Sequence, residues 1–300
     1  LTVASGPETR RPIVVRGAGD LATGVILALH RSGYPVVALE TAAPSAIRRT
    51  VSLSEAVYEG RASVEGIEAR LAGKEGEVRS ALEEGLVPLL VDPAASSLAW
   101  LRPLALVDAI MAKRNLGTGR GMAPLVIALG PGFVAGEDVD LVVETQRGHD
   151  LARLIRRGRA AADTGIPGEV GGASADRVIH ALAFGRLVAL EAIGSSVTRN
   201  ELIAYIESNT TRFNVYSKID GILRGLIRSG AEVRAGLKIA DVDPRGQAEN
   251  CWTVSDKARA LGGSVLEALL GAGILPPLRP GAGWQGSEAR RWETAQGEKG

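Results

Sequence analysis

Ile13-Val14-Val15-Arg16-Gly17-Ala18-Gly19-Asp20-Leu21-Ala22 is the stretch on which the fold is read. An apolar run ends in Gly17, as a buried strand entering a tight turn would. From Asp20 to Arg31 the apolar residues Leu21, Val25, Ala28 and Leu29 recur at helical spacing. Gly33 stands where that helix would end, and Pro35 forbids its continuation. Val36 to Glu40 then reads as a second strand. Strand, helix and strand in about thirty residues predict a βαβ unit with a right-handed crossover. Gly17-x-Gly19-x-x-Ala22 also matches the dinucleotide fingerprint in its alanine form. Gly17 permits the turn, Gly19 lets backbone approach a phosphate, and Ala22 lets the helix pack closely. The helix N-terminus offers free N–H groups and a positive dipole end to an anion. Glu40, about twenty residues on, stands where a carboxylate accepts from ribose hydroxyls and repels a 2′-phosphate.

Alternation continues outward from that unit. Ser52-Leu53-Ser54-Glu55 has the form of a capping box, predicting a short helix to Glu59. Glu75 to Glu84 reads as helix. Val87 to Val91, Leu104 to Ile110, Leu125 to Leu129 and Leu141 to Glu144 read as strands. The expectation is an α/β protein. Residues 13–157 form a Rossmann-like, doubly wound nucleotide-binding sheet, with a Gly-rich linker or loop opening the next unit. In residues 158–250 an offset of 36 residues superposes Gly185 on Gly221, Leu187 on Leu223, Gly194 on Gly230, Val197 on Val233 and Ile203 on Ile239. This internal repeat predicts a small pseudo-symmetric β-module resembling the barrel-sandwich hybrid of biotinyl and lipoyl domains. Lys218, between the copies, lacks the usual surroundings of a carrier lysine and reads as a surface residue. Ser255 is placed to cap a C-terminal helix within residues 251–272. Residues 273–300 have the composition of a disordered tail.

Composition narrows the function. The 300 residues carry 35 Lys and Arg against 34 Asp and Glu, a net charge of +1. No global field favours nucleic acid or a membrane, so an anion site must be local. A lone cysteine, Cys251, excludes an internal disulfide and suits a reducing compartment. It reads first as a small buried apolar group. His30, His149 and His180 are scattered and show no zinc-ligand spacing. Residues 1–12 lack the apolar core of a secretory signal, and the stretch from Ala123 to Ala135 is too short for a membrane span. Cytoplasm is the expectation. No Walker loop, kinase set or Ser/His/Asp order is present.

Three strand ends carry further candidates. Arg48 and Arg49 follow the second strand, Lys113 follows the strand Leu104 to Ile110, and Arg147 and His149 follow the strand Leu141 to Glu144. In a parallel sheet such loops converge on one crevice. Adjacent arginines clamp phosphate or carboxylate there, although a solvated basic pair is the plainer reading. His149 could serve acid–base work near neutrality, against a structural role. Asp20 at the first turn of the helix reads first as a cap, with a ribose or a metal-bound phosphate as the alternative partner. The binding set is Gly17, Gly19, Asp20, Ala22, Glu40, Arg48, Arg49, Lys113, Arg147 and His149. It would take an NAD-like dinucleotide or another nucleotide-containing anion, and no catalytic set is defined.

Several blocks in order resemble one family. They are Val15 to Gly24, Ala46 to Ser52 with Glu55 to Tyr58, Asp108-Ala109 with Lys113-Arg114-Asn115, and Gly130-Pro131-Gly132-Phe133. Glu144 to His149, Asp241 to Arg245 and Ser255 to Ala258 complete them. The chain resembles, from about residue 13 to 270, the YqeB-type family of selenium-dependent molybdenum hydroxylase system proteins. That resemblance implies an accessory or maturation role toward a molybdenum hydroxylase or its maturation factors. By analogy with maturation factors of the XdhC type, it implies a molybdopterin nucleotide as ligand. An NAD-dependent oxidoreductase and a non-catalytic nucleotide sensor are the alternatives. Oligomeric state is left open.

Overall fold

The computed structural model describes residues 11–165, 172, 175–209 and 211–277. The opening unit forms as read: strand β1 (Ile13–Arg16), helix α1 (Asp20–Arg31) and strand β2 (Val36–Glu40). Helix α2 (Ala56–Glu59) leads into a hairpin of β3 (Arg61–Val64) and β4 (Ile67–Ala72). Helix α3 (Glu75–Glu83), β5 (Val87–Val91), α4 (Leu98–Leu101) and β6 (Ala105–Asp108) follow. Strands β7 (Val126–Leu129), β8 (Leu141–Val143) and β9 (Leu154–Ile155) complete the layer. The nine strands order as β3-β4-β5-β2-β1-β6-β7-β8-β9. Those from β4 to β8 are parallel, whereas β3 and β9 add antiparallel edges.

The expected doubly wound Rossmann sheet is therefore corrected to a mixed sheet. The connections after β6 and β7 carry no helix. Their sequence explains this: Asn115, Gly117, Gly119 and Gly121 favour turns, and Asn115 Oδ1 accepts from the N–H groups of Gly117 and Thr118 at 2.8 Å. Phe133, Ala135 and Val139 of these loops cover one face of the sheet, and on the other face α5 (Asp256–Gly271), from the far end of the chain, packs beside α1. Ser255 Oγ accepts from the Ala258 N–H, as the sequence predicted for a cap. Gly24 makes the helix contact close: a Cβ there would lie 2.5 Å from the Ala258 carbonyl oxygen. Gly24→Ala is expected to destabilise by about 1–3 kcal/mol through overpacking. That outweighs the roughly 0.5–1 kcal/mol alanine gains in a helix. An unchanged midpoint in thermal unfolding would show that the helices separate freely.

Two local readings are also corrected. Ser52 Oγ donates to the Arg48 carbonyl at 2.8 Å instead of capping, and Glu55 pairs with Arg49 and Arg228. The N-cap of α1 is Gly19, so Asp20 lies inside the first turn and does not cap it.

The second half begins with β10 (Val178–His180), β11 (Gly185–Ala189), β12 (Ser196–Val197), β13 (Leu202–Ser208) and β14 (Thr211–Tyr216). Strands β15 (Gly221–Leu226), β16 (Glu232–Val233) and β17 (Lys238–Asp243) follow. The repeat is real in three dimensions, because the short strand of each copy pairs with the first strand of the other. Gly185 stands opposite Val233, and Gly221 opposite Val197. Both glycines are required, since a Cβ would meet the Glu207 or the Asp243 carbonyl oxygen within 2.4 Å. The expected barrel-sandwich hybrid is nevertheless corrected to two four-stranded antiparallel sheets, β10-β17-β15-β12 and β14-β13-β11-β16, sharing one core. Strand β10 from upstream and β14 from between the copies extend the sheets beyond what the repeat supplies. Lys218 is exposed. The proposed tail lies outside the described residues from 278 onward.

Candidate functional site

The sandwich docks onto the loop after β2. The Leu226 N–H donates to the Ile47 carbonyl at 2.8 Å, and Arg49 Nε donates to the Leu226 carbonyl at 2.9 Å. Arg49 is thereby a junction residue, also 3.5 Å from Glu55. This docking carries a dense set of charges up to the glycine turn.

At the turn itself, Gly17 has φ +99°, and a Cβ would press on the Ala109 carbonyl. A Cβ on Gly19 would meet nothing within 4 Å, so space is open above the helix start. The first helical bond closes from Thr23 to Gly19 at 2.8 Å. The N–H groups ahead of it in the turn have no helical acceptor. Ala22 is buried against the core. Glu40 holds the turn: its oxygens accept from Ala18 and Thr41 N–H groups at 2.8 Å each. Its geometry is that of a backbone clamp beside the turn.

Asp20 faces Arg48 at 3.7 Å. Arg48 is buried, donating to the Asn250 and Thr253 carbonyls, while its Nε has no partner among the described residues. Behind it lies a network from the sandwich. Asp241 Oδ2 accepts from Arg224 at 2.5 and 2.9 Å, and Arg177 pairs with the other Asp241 oxygen. Asp243 is shared by Arg224 at 3.1 Å and Arg245 at 2.6 Å. Burial alone would raise the Asp243 pKa, but hydrogen bonds from Arg245 with Arg224 nearby hold it below the ordinary carboxylate value. From the other side, Arg147 grips Asp256 at the start of α5 through two bonds of 2.7 Å.

Two lysines differ from these paired cations. Lys238 on β17 and Lys257 on α5 have no ion-pair or hydrogen-bond partner among the described residues. Burial pushes the pKa of both ammonium groups down, and Asp20 pulls both upward. One carboxylate beside the glycine turn therefore acts on both lysines. Lys238, the first residue of β17, is exposed, whereas Lys257 is half-buried. Among the described residues, seven cations (Arg48, Arg147, Arg177, Arg224, Lys238, Arg245 and Lys257) meet five carboxylates (Asp20, Glu144, Asp241, Asp243 and Asp256) in this network. The excess is positive, which suits an anion.

Of the residues expected from sequence, Gly17, Gly19, Asp20, Ala22, Glu40 and Arg48 gather at this turn, and Arg147 joins through Asp256. Lys113 instead pairs with Asp163 at 2.7 Å on the surface, and His149 is exposed. Sequence reading missed Arg177, Arg224, Lys238 and Lys257. The signal available was Asp241 and Asp243, two positions apart in a strand and so on one face, where carboxylates demand cations. Among the described residues, no group of three or more His, Cys, Asp or Glu could hold a metal ion. No helix there is long and apolar enough to cross a membrane.

No protein-family profile matches the sequence. Among solved structures, the chain is similar to the apo ectoine utilization protein EutE (DoeB) from Ruegeria pomeroyi. That likeness has 12% identity and a TM-score of 0.23, covering 76% of this chain and 87% of that one. It is also similar to a succinylglutamatedesuccinylase/aspartoacylase from Rhodobacter sphaeroides, with 15% identity and a TM-score of 0.25 over 77% and 85% of the two chains. Scores this low carry no argument about mechanism.

The sequence relative is closer. The chain is 46% identical over 266 residues to the uncharacterized protein YqeB of Escherichia coli (strain K12), covering 89% of this chain and 48% of the relative. The YqeB likeness read from separate blocks thus runs along most of the chain. The chain spans about half the length of that curated relative.

Proposed function

We propose that the chain binds an anionic, nucleotide-containing cofactor and serves as an accessory or maturation protein of a selenium-dependent molybdenum hydroxylase system in the cytoplasm. The carrying observation is the open space at Gly19 beside the free N–H groups of the helix start, with Asp20 in that turn acting electrostatically on both Lys238 and Lys257. Amide N–H groups and ammonium groups together suit phosphate oxygens. A molybdopterin nucleotide fits this donor set through its phosphates, with Gly19, Lys238 and Lys257 holding them. Arg48 would remain a fixed positive charge beneath. The hydroxylase part rests on the YqeB likeness and the family resemblance of the sequence.

Mass spectrometry of small molecules released from protein purified under native conditions tests the ligand. A pterin nucleotide released in near-stoichiometric amount is the expected result. Bound NAD with turnover of NADH would replace this reading with an oxidoreductase. Capture of a molybdenum hydroxylase by the tagged chain tests the partner, and its absence from a producing cell would remove the accessory role.

A further inference from the structure

A second basic site lies on the edge of the large sheet, apart from the glycine turn. Arg153, Arg156, Arg157 and Arg159 line a cavity of about 540 Å³ together with Glu144 and Asp150. Its two carboxylates are engaged. Glu144 is buried and accepts from the N–H groups of Thr145, Gln146 and Ala161 at 2.6 to 2.7 Å, and Asp150 lies 3.3 Å from Arg153. Arg156, Arg157 and Arg159 have no carboxylate within ion-pair distance among the described residues.

The backbone carrying these arginines is fixed. The Glu144 N–H donates to the Arg153 carbonyl at 3.0 Å, and β9 pairs with β8 at Leu154 and Ile155. Gly158 exchanges hydrogen bonds with Ala135 at 2.7 and 3.3 Å, and Ala160 is buried. The segment thus closes on the Glu144 carboxylate, which ties residues 145, 146 and 161 together. Three like charges within four residues of such a fixed strip repel one another. A multiply charged anion removes that repulsion, and guanidinium forks match phosphate oxygens in pairs.

We propose that this cavity binds a diphosphate group, as inorganic pyrophosphate or as the diphosphate of a nucleotide. Two adjacent phosphates offer six terminal oxygens, enough for three guanidinium forks with no oxygen shared, whereas one phosphate would have to share oxygens among them. Among the described residues no aromatic side chain lines the cavity, which disfavours single-stranded nucleic acid, whose bases stack on aromatic platforms. Its lining shares no residue with the proposed phosphate contacts Gly19, Lys238 and Lys257, although the charge of Glu144 also reaches Lys257.

Calorimetric titration of the full chain with pyrophosphate tests it, using two variants. Arg156→Ala/Arg157→Ala/Arg159→Ala is expected to weaken pyrophosphate binding on the order of a hundredfold, while its thermal midpoint holds or rises as repulsion is relieved. Lys238→Met/Lys257→Met, altered at the glycine turn, is expected to keep this binding. ADP binding tighter than pyrophosphate would identify the nucleotide as the source, and equal binding would identify the diphosphate alone; both support the site. Absence of saturable pyrophosphate binding to the unaltered chain overturns it. So does undiminished binding in the arginine variant, or oligonucleotide affinity that exceeds pyrophosphate and grows with strand length.

Discussion

Asp241→Ala is expected to lower the unfolding free energy by about 3 kcal/mol, the lower end of the range for breaking a buried ion pair. Asp241 is 1% exposed, and the guanidinium groups of Arg177 and Arg224 converge on it. Removing the carboxylate strands positive charge where water cannot reach it. The cost stays at the lower end because Arg224 retains Asp243 at 3.1 Å. Urea unfolding with unchanged slope and a lowered midpoint is the expected readout. Asp241→Asn keeps the shape and two lone pairs and should lose less, which separates charge from packing. A loss below about 1 kcal/mol in both variants would place the network among solvent-screened pairs. Asp243 adds a pH dependence. Its folded pKa lies below the ordinary value of 3.8, so its stabilisation is complete above that value. It is lost as pH falls through the lowered folded value. Arg245→Ala removes its nearest donor and should move the onset of acid unfolding to higher pH.

Lys238→Met and Lys257→Met are each expected to weaken a 5′-nucleotide, with AMP as the probe, by roughly tenfold to a hundredfold. That range corresponds to losing a hydrogen bond to a charged group, about 1.5–3 kcal/mol. The ligand-free protein should be no less stable, because neither ammonium group has an ion-pair or hydrogen-bond partner among the described residues. The sign follows from linkage. Their folded pKa values are lowered from 10.5, so between the lowered value and 10.5 the unfolded chain binds more protons. Stability of the empty protein therefore gains from these lysines as pH rises through that window. Anion affinity does the opposite, falling as the lysines lose their protons below the ordinary lysine range. An affinity that stays flat as pH rises through the window below 10.5, or double-variant binding equal to that of the unaltered chain, would falsify the assignment.

Much of the first sheet was legible because its strands sit in the middle of a parallel layer, buried on both faces. Such strands are short continuous apolar runs, and the runs at residues 13–16, 36–40 and 87–91 are unmistakable. The edge strands were not. Arg61–Val64 alternates weakly, and Leu154–Ile155 is two residues long, so neither has a period to read. The helixless connections after β6 and β7 were missed as a fold-level fact, although their glycines were visible. At the site, the residues beside the glycine turn could be found, since a turn and its neighbours are local. Lys113 was misplaced because residues 109–125 form a long loop in which Met111 and Lys113 adopt positive φ. Sequence spacing does not say where such a loop sends a side chain.

By itself the sequence determined the βαβ start, the tight turn at Gly17, the 36-residue repeat and the cap at Ser255. Each depends on backbone sterics or periodicity within a few residues, or on a copy of the same pattern. Only the tertiary structure decided that α5 covers the first sheet, that the repeat forms two sheets, and that Lys238 and Lys257 share the electrostatic field of Asp20. Those outcomes depend on contacts between residues from tens to more than two hundred positions apart. There, burial and charge pairing select among arrangements that local preference leaves equal.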